Sequence, residues 1–324
     1  MSFSPRSLSF KRRLIGAAAA FGLAAASLPA QAQDFINILT GGTSGVYYPL
    51  GVGLSKVFTE KMPGSRPSVQ ATKASVENLN LLQQGKGEIG FTLGDSLALG
   101  WAGDEEAGFK GKLDKLRGIT AIYPNYIQIV ASKESGIKTL ADLKGKRLSV
   151  GAPKSGTELN ARAILQGAGL TYKDLSKVEY LPFGESVELM KNRQLDATLQ
   201  SAGLGVSSIR DLATSVPIVV VEIPADVVDK VGSPYVKVSI PANTYDGQTA
   251  PVATAAVVNY LVTHSGMKDE AVYQMTKAIY ESLPELAAAH AAAKDIKLEN
   301  ALSGMPVPMH PGAQRYFDEK GVKK

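Results

Sequence analysis

The residues best suited to chemistry gather where short apolar runs end. The richest group is Thr40-Gly41-Gly42-Thr43-Ser44-Gly45-Val46-Tyr47-Tyr48-Pro49-Leu50. It follows the β-favouring run Phe35-Ile36-Asn37-Ile38-Leu39 and precedes a helical stripe of Val46, Leu50, Leu54, Val57 and Phe58. The glycines therefore fall in a strand-to-helix turn, where they allow a positive φ and a close approach by another molecule. Thr43 and Ser44 are suited to cap the helix. A helix start offers unpaired N–H groups and the positive end of the dipole, which suits a carboxylate or a phosphate. An ordinary capped βα turn would use the same residues, so this stretch alone leaves both readings open.

Similar residue types recur at Lys73 to Ser75, Gly94 to Ser96, Ala152 to Thr157, Gly184 to Ser186 and Gln200 to Gly203, each at the end of an expected strand. Ligands of open α/β sheets bind beyond such ends. Anion binding there needs no basic side chain. Tyr47, beside the glycine turn, is read toward a ligand, and Tyr48-Pro49 toward packing. Asp95 would either hold a ligand ammonium or cap a helix.

Catalytic patterns are poorly supported. The glycines lack the Gly-Lys-Ser/Thr ending of a phosphate loop, and no Gly-x-Ser-x-Gly elbow follows a convincing strand. The three histidines, His264, His290 and His310, have no metal-ligand spacing; His290 reads as a surface residue and His310 as a helix cap. No catalytic residue, metal site or cofactor is expected. There are no cysteines, which excludes disulfides and thiolate chemistry.

The elements that must position these residues alternate between strand and helix. Strands are expected at 68–72, 88–93, 119–123, 126–132, 147–151, 178–181, 197–200 and 217–221. Helices are expected after Val46, from Ser75, through Leu159 to Ala168, and from Ser186. Gly94-Asp95-Ser96 reads as a turn, and 101–115 as a surface excursion. Beyond the strand 236–240, the apolar stretch 249–262 reads as a return to the first half, followed by helices near 270–282, 284–293 and after His310. The halves echo each other: Ser44-Gly45 precedes Ser75-Val76-Glu77 by 31 residues, and Ser155-Gly156 precedes Ser186-Val187-Glu188 by the same interval. Matched spacing in a matched βα setting predicts two similar α/β lobes with mostly parallel sheets.

The chain has 324 residues, 44% hydrophobic and 20% charged, which fits two globular domains. Arg6, Lys11, Arg12 and Arg13, the apolar stretch 14–28 and Ala30-Gln31-Ala32 form a secretory leader with cleavage near Ala32. That leader has four basic and no acidic residues, so the net +5 less 4 leaves +1 on the mature chain. The sequence pI near 9.1 is thus largely the leader's and does not indicate nucleic acid. No later segment is apolar enough to cross a bilayer, so an exported, soluble protein is expected.

Four ordered motifs resemble one family over essentially the whole mature chain. They are Gly41-Gly42-Thr43-Ser44-Gly45-Val46-Tyr47-Tyr48-Pro49, Ser75-Val76-Glu77-Asn78, Gly151-Ala152-Pro153 with Ser155-Gly156-Thr157-Glu158, and His310-Pro311-Gly312-Ala313. They look like the TAXI family, the extracytoplasmic solute receptors of tripartite ATP-independent periplasmic (TRAP) transporters. Lys154 departs from that pattern, which has glycine there; a changed loop shape or ligand charge preference is the expected consequence.

The resemblance implies a type II-like two-lobed periplasmic-binding fold with a hinge. The leader would be 1–32, lobe I 33–122 with 245–324, and lobe II 123–244. Crossings are placed near 123–124 and 243–246. The receptor would be a periplasmic monomer that delivers a small carboxylate, such as glutamate, glutamine or 2-oxoglutarate, to a TRAP permease. Motif-matched binding positions are Thr43, Ser44, Gly45, Tyr47, Ser75, Asn78 and Asp95, with Ser155, Gly156 and Thr157 from the second lobe. Gln200, Ser201 and Gly203 join them from strand-end geometry. An exported enzyme on the same fold is the competing reading.

Overall fold

A computed structural model describes residues 35–323. The expected leader lies outside them. Among the described residues, no helix is long and apolar enough to cross a membrane.

The first half runs β1 (Phe35–Leu39), α1 (Tyr47–Lys61), β2 (Arg66–Gln70), α2 (Ser75–Gln83), β3 (Ile89–Leu93) and α3 (Gly94–Ala102). Its three strands are parallel in the order β2-β1-β3. After the long β4 (Leu116–Ser132), the second half repeats this design. It runs β5 (Arg147–Ser149), α4 (Gly156–Gly167), β6 (Lys177–Glu179), α5 (Phe183–Lys191) and β7 (Ala197–Ala202). The order is β6-β5-β7, again parallel with the first strand central. The sequence echo is therefore a topological one. Every residue of β3 (Ile-Gly-Phe-Thr-Leu) and of β7 is buried, as expected for parallel strands with both faces covered.

The remaining elements are α6 (Ser207–Ser215), β8 (Ile218–Val221), α7 (Ala225–Val231), β9 (Val236–Ile240), β10 (Val252–His264), α8 (Asp269–Tyr280), α9 (Leu283–Ala289) and α10 (Pro311–Glu319). His310 caps α10, its Nδ1 accepting from Gly312 N at 3.2 Å, as its position before Pro311 led us to expect. His290 differs from its surface reading: it is only partly exposed, and its Nδ1 accepts from Ala292 N at 3.1 Å.

β4 and β10 join the two parallel sets into one ten-stranded sheet, in the order β2-β1-β3-β10-β4-β7-β5-β6, with β8 on β4 and β9 on β10. They pair antiparallel along most of their length, and the register shifts between Val258 and Tyr260. Pro124, which has no N–H for a ladder, sits opposite Val258 at that irregularity. Alternate side chains of β4 enter different buried clusters: Ile122 and Val130 pack in one, Ile127, Ile129 and Ala131 in another, Leu116 and Ala121 in a third.

Several local expectations need correction. The two strands expected around Pro124 are one continuous strand. Gly94-Asp95-Ser96 is not a free turn but the first turn of α3, because the apolar run Leu97 to Trp101 continues the helix. Ser186 does not open α5; it stands in its first turn and bonds to Pro182 O at 3.0 Å. α7 was not anticipated. Near the end of α3, Trp101 carries the Lys112 ammonium over its ring at 4.8 Å.

Candidate functional site

The carboxyl ends of the parallel strands face a cavity of about 90 Å³. One water needs roughly 10–15 Å³ measured this way, so the space suits a solute of a few heavy atoms. The starts of four helices reach its wall: Val46 and Tyr47 at α1, Ala74 and Ser75 at α2, Ser155 and Gly156 at α4, Pro182 and Phe183 at α5. Leu93, just before α3, completes the ring. The first N–H groups of a helix have no acceptor in that helix, and each start carries about half a positive charge. Four such starts around one small space make a strong anion field with little help from side chains.

At α4 the helix opens at Ser155-Gly156 and Ser155 stands at its cap. Ser155 Oγ accepts from Glu158 N at 3.1 Å, which leaves the Gly156 and Thr157 amides to the cavity wall. Glycine at 156 allows a close approach, since a Cβ there would lie 2.6 Å from Leu93 Cδ1 and 2.7 Å from Ser75 Oγ and would have to displace them. At α1 the cap differs from expectation. The Gly45 amide turns back to Gly42 O at 3.0 Å, the helix starts one residue later, and Val46 stands at the cap with no side-chain bond. Thr43 and Ser44 thus do not cap, and Ser44 is freed to line the cavity.

Two residues at the site hold a backbone unfavourable for a side chain. Ala74 has φ 72°, and Lys154 has φ 61°. Conformations of this kind cost on the order of 1–3 kcal/mol and gather at functional sites. The Lys154 turn meets the first turn of α2, where Glu77 N donates to Lys154 O at 3.3 Å. The left-handed φ gives a physical reason why glycine would suit position 154.

Of the residues singled out from sequence, Ser44, Gly45, Tyr47, Ser75, Ser155, Gly156, Thr157 and Ser201 line the cavity. Tyr47 stacks on Phe91 with centroids 4.9 Å apart and donates its hydroxyl to Asn259 Oδ1. Burial holds that phenol well above its usual range, with the Asp95 charge adding and a Ser75 hydrogen bond opposing. Thr43, Asn78, Asp95, Gln200 and Gly203 stand outside the lining. Thr43 is exposed. Asn78 is a buried bracket, donating to Thr40 O at 2.7 Å and Phe91 O at 2.9 Å and accepting from Thr72 Oγ1 at 2.6 Å. Gln200 accepts from Ser208 Oγ at 2.6 Å, while Gly203 packs against Ala292 and Tyr123.

Asp95 lies beside the cavity in a closed polar knot between α3 and α4. Its Oδ2 accepts from Asn160 Nδ2 at 2.6 Å and Tyr235 OH at 2.7 Å, and its Oδ1 accepts from Ser96 N at 2.7 Å. Ser201 Oγ donates to Asn160 Oδ1 at 2.6 Å. Burial raises the Asp95 carboxyl above its ordinary value, against the pull of the Tyr235 and Ser96 hydrogen bonds.

Sequence reasoning missed the far wall. Tyr123 and Asn125 on β4, with Pro182 and Phe183, close the space; Ala202 and Lys73, among the described residues the one charged side chain that lines it, fall in strand ends the sequence had marked. The Tyr123 hydroxyl and Asn125 Nδ2 are buried without a hydrogen-bond partner. The Pro-Asn step in the middle of a long apolar stretch was the signal available. None of the three histidines lines the cavity. Among the described residues, no group of three or more His, Asp or Glu could hold a metal.

Comparison with known proteins agrees with this architecture. The profile of the NMT1-like family matches residues 38–321. A solved periplasmic transporter is 11% identical, with a TM-score of 0.56 over 90% of this chain and 96% of that one. A binding protein component of an ABC phosphonate transporter from Pseudomonas aeruginosa is 12% identical, with a TM-score of 0.54 over 82% and 80%. The alkanesulfonate-binding protein SsuA from Xanthomonas axonopodis pv. citri, bound to MOPS, is 16% identical, with a TM-score of 0.48 over 88% and 83%. The likeness is one of fold: a mixed α/β chain with a large sheet flanked by helices, of the two-lobed periplasmic-binding kind.

Proposed function

We propose that this chain, which belongs to the NMT1-like family, is the exported receptor of a transporter and captures a small carboxylate in the cavity described above. The observation that carries the reading is the convergence of four helix starts on one space with a single charged side chain at its wall. Backbone amides take the carboxylate, as Gly156 and Thr157 are placed to do. The fold of the named neighbours is that of binding proteins, which supports capture and release.

The lobes proposed are 33–122 with the C-terminal segment, and a second lobe from 123. Their crossings are β4 at 123–124 and β10 near Val258. The pairing of Val252–Ala256 with β9 favours β10 over 243–246 for the second crossing. Closure brings the α4 start against α2 and α3, so the solute shifts the open–closed population by its differential affinity. The TAXI-like motifs favour a TRAP permease as the partner, with the leader at 1–32 directing export to the periplasm.

The test is thermal unfolding of the mature chain against a panel of small carboxylates. A true ligand at a hundred times its Kd adds about 2.7 kcal/mol of stability. A panel with no stabilising member would refute the reading. Uptake by reconstituted permease driven by a sodium gradient, and not by ATP, would support the TRAP assignment; ATP dependence would overturn it.

A further inference from the structure

The two proposed lobes touch beside the cavity as well as around it. Some of the bonds between them end on backbone carbonyls. Ser207 Oγ donates to Ser44 O at 3.0 Å, and Arg162 Nη1 to Glu106 O at 3.0 Å. Both lie open to water, where a hydrogen bond gains little over hydration. The contact made by Asp95 is of another kind. Asp95 stands on α3 of the first lobe, is only 5% exposed, and places its carboxylate among donors of the second lobe.

Those donors are assembled without Asp95. Ser201 Oγ donates to Asn160 Oδ1 at 2.6 Å, which fixes the amide so that its nitrogen faces the first lobe, and Asn160 Nδ2 also donates to Tyr235 OH at 2.9 Å. The three residues come from β7, α4 and the segment just before β9, all in the second lobe. Asp95 brings the acceptor: its Oδ2 receives Asn160 Nδ2 at 2.6 Å and Tyr235 OH at 2.7 Å, while on its own side Ser96 N holds Oδ1 at 2.7 Å. Parting the lobes strips the carboxylate of both second-lobe donors, and bonds to an ionised acceptor are the stronger class. In the parted state water replaces them. In the closed state, removal of one partner leaves the others buried and unpaired. Asp95, Asn160 and Tyr235 all stand outside the cavity lining.

We infer, resting on the two-lobed receptor reading above, that Asp95 with Asn160 and Tyr235 forms a latch between the lobes. They are positioning residues. They set the ratio of closed to open receptor, and so the affinity for every solute alike, without selecting among solutes.

The experiment needs no known solute. The chain has no cysteine, so Lys110→Cys and Gln166→Cys put one spin label on an exposed site of each lobe, flanking the Arg162–Glu106 contact. Pulsed electron–electron distance measurements on the labelled mature chain, without added solute, should show a short-distance population. It should shrink in Tyr235→Phe, which removes one hydroxyl and keeps the ring, with the closed-to-open ratio falling about tenfold. Asp95→Ala should shrink it at least as far. An unchanged distribution in both variants overturns the latch, whatever binds in the cavity. Titration calorimetry with glutamate and with 2-oxoglutarate then compares the native chain with Tyr235→Phe. The affinities of those that bind should fall by one common factor, no larger than the change in the closed-to-open ratio. A shifted preference between the two acids also overturns the latch, because it makes Tyr235 a selecting residue. If neither acid binds, the distances alone decide the latch, and the wider carboxylate panel decides the receptor reading. If an acid binds and the distances do not move, the receptor reading stands without the latch.

Discussion

Two polar regions lie side by side where the strands end, and they are completed in opposite ways. In the knot around Asp95, the Asn160 and Tyr235 donors and the Ser96 amide all meet carboxylate oxygens, and Ser201 satisfies the other end of Asn160. In the cavity, helix-start amides and two side-chain donors are left over. A buried donor without a partner costs roughly 1–3 kcal/mol, so leftover donors make sense where a guest will complete them. The finished knot aligns α3 with α4; the unfinished wall recognises. Sharing α4 makes the first a scaffold for the second.

The largest effect should come from wedging the two apart. Gly156→Val puts a branched side chain where even a Cβ lies within 3 Å of Leu93, Ser75 and Ser96. Carboxylate affinity should fall by about 3 kcal/mol, roughly two orders of magnitude, in calorimetry. Near-native affinity would mean that α4 does not need this close approach.

Opening the knot should matter next. Asp95→Ala strands the donors of Asn160, Tyr235 and Ser96, and should lower the unfolding free energy in urea by about 2 kcal/mol. The charge is separable from the shape through pH. Burial lifts the folded Asp95 above its unfolded value of 3.8. Such a group contributes stability that is present below the unfolded value and lost as pH rises through the folded one. Asp95→Asn lacks that component, so the stability of the native chain minus that of the variant should decline with pH across the window just above 3.8. A flat difference would place the titration elsewhere.

Smaller effects test the individual walls. Ser155→Ala removes the α4 cap and should cost about 1 kcal/mol of unfolding free energy. No loss at all would show that the Glu158 amide finds another partner. Lys154→Gly relieves a left-handed backbone, which is worth about 1–2 kcal/mol, but adds freedom to the unfolded chain, worth up to about 1 kcal/mol. The net should be a gain within about 1 kcal/mol; a clear loss would show that the lysine side chain holds the loop.

Local chemistry was legible in the sequence where it is decided locally. The glycine turn before α1, the His310 cap and the repeated strand–helix order follow from spacing and residue type. The wall formed by Tyr123, Asn125 and Phe183 was not, because it depends on which elements the sheet order brings together. Asn78 shows the same limit from the other side. Its type and place suit a ligand contact, but its amide is spent on Thr40 and Phe91, partners 38 and 13 residues away. Pattern reveals which donors exist; only the fold reveals which are still free.

The helix that carries Asp95 also carries Trp101, the sole indole of the chain, under the Lys112 ammonium. A cation above an indole shifts its emission, and that ring stands six positions along the same helix from Asp95. A motion of α3 that disturbs this pair is expected to alter an optical signal that needs no added dye. Stopped-flow fluorescence on the unlabelled protein can time the capture event, and Lys112→Met supplies the blank.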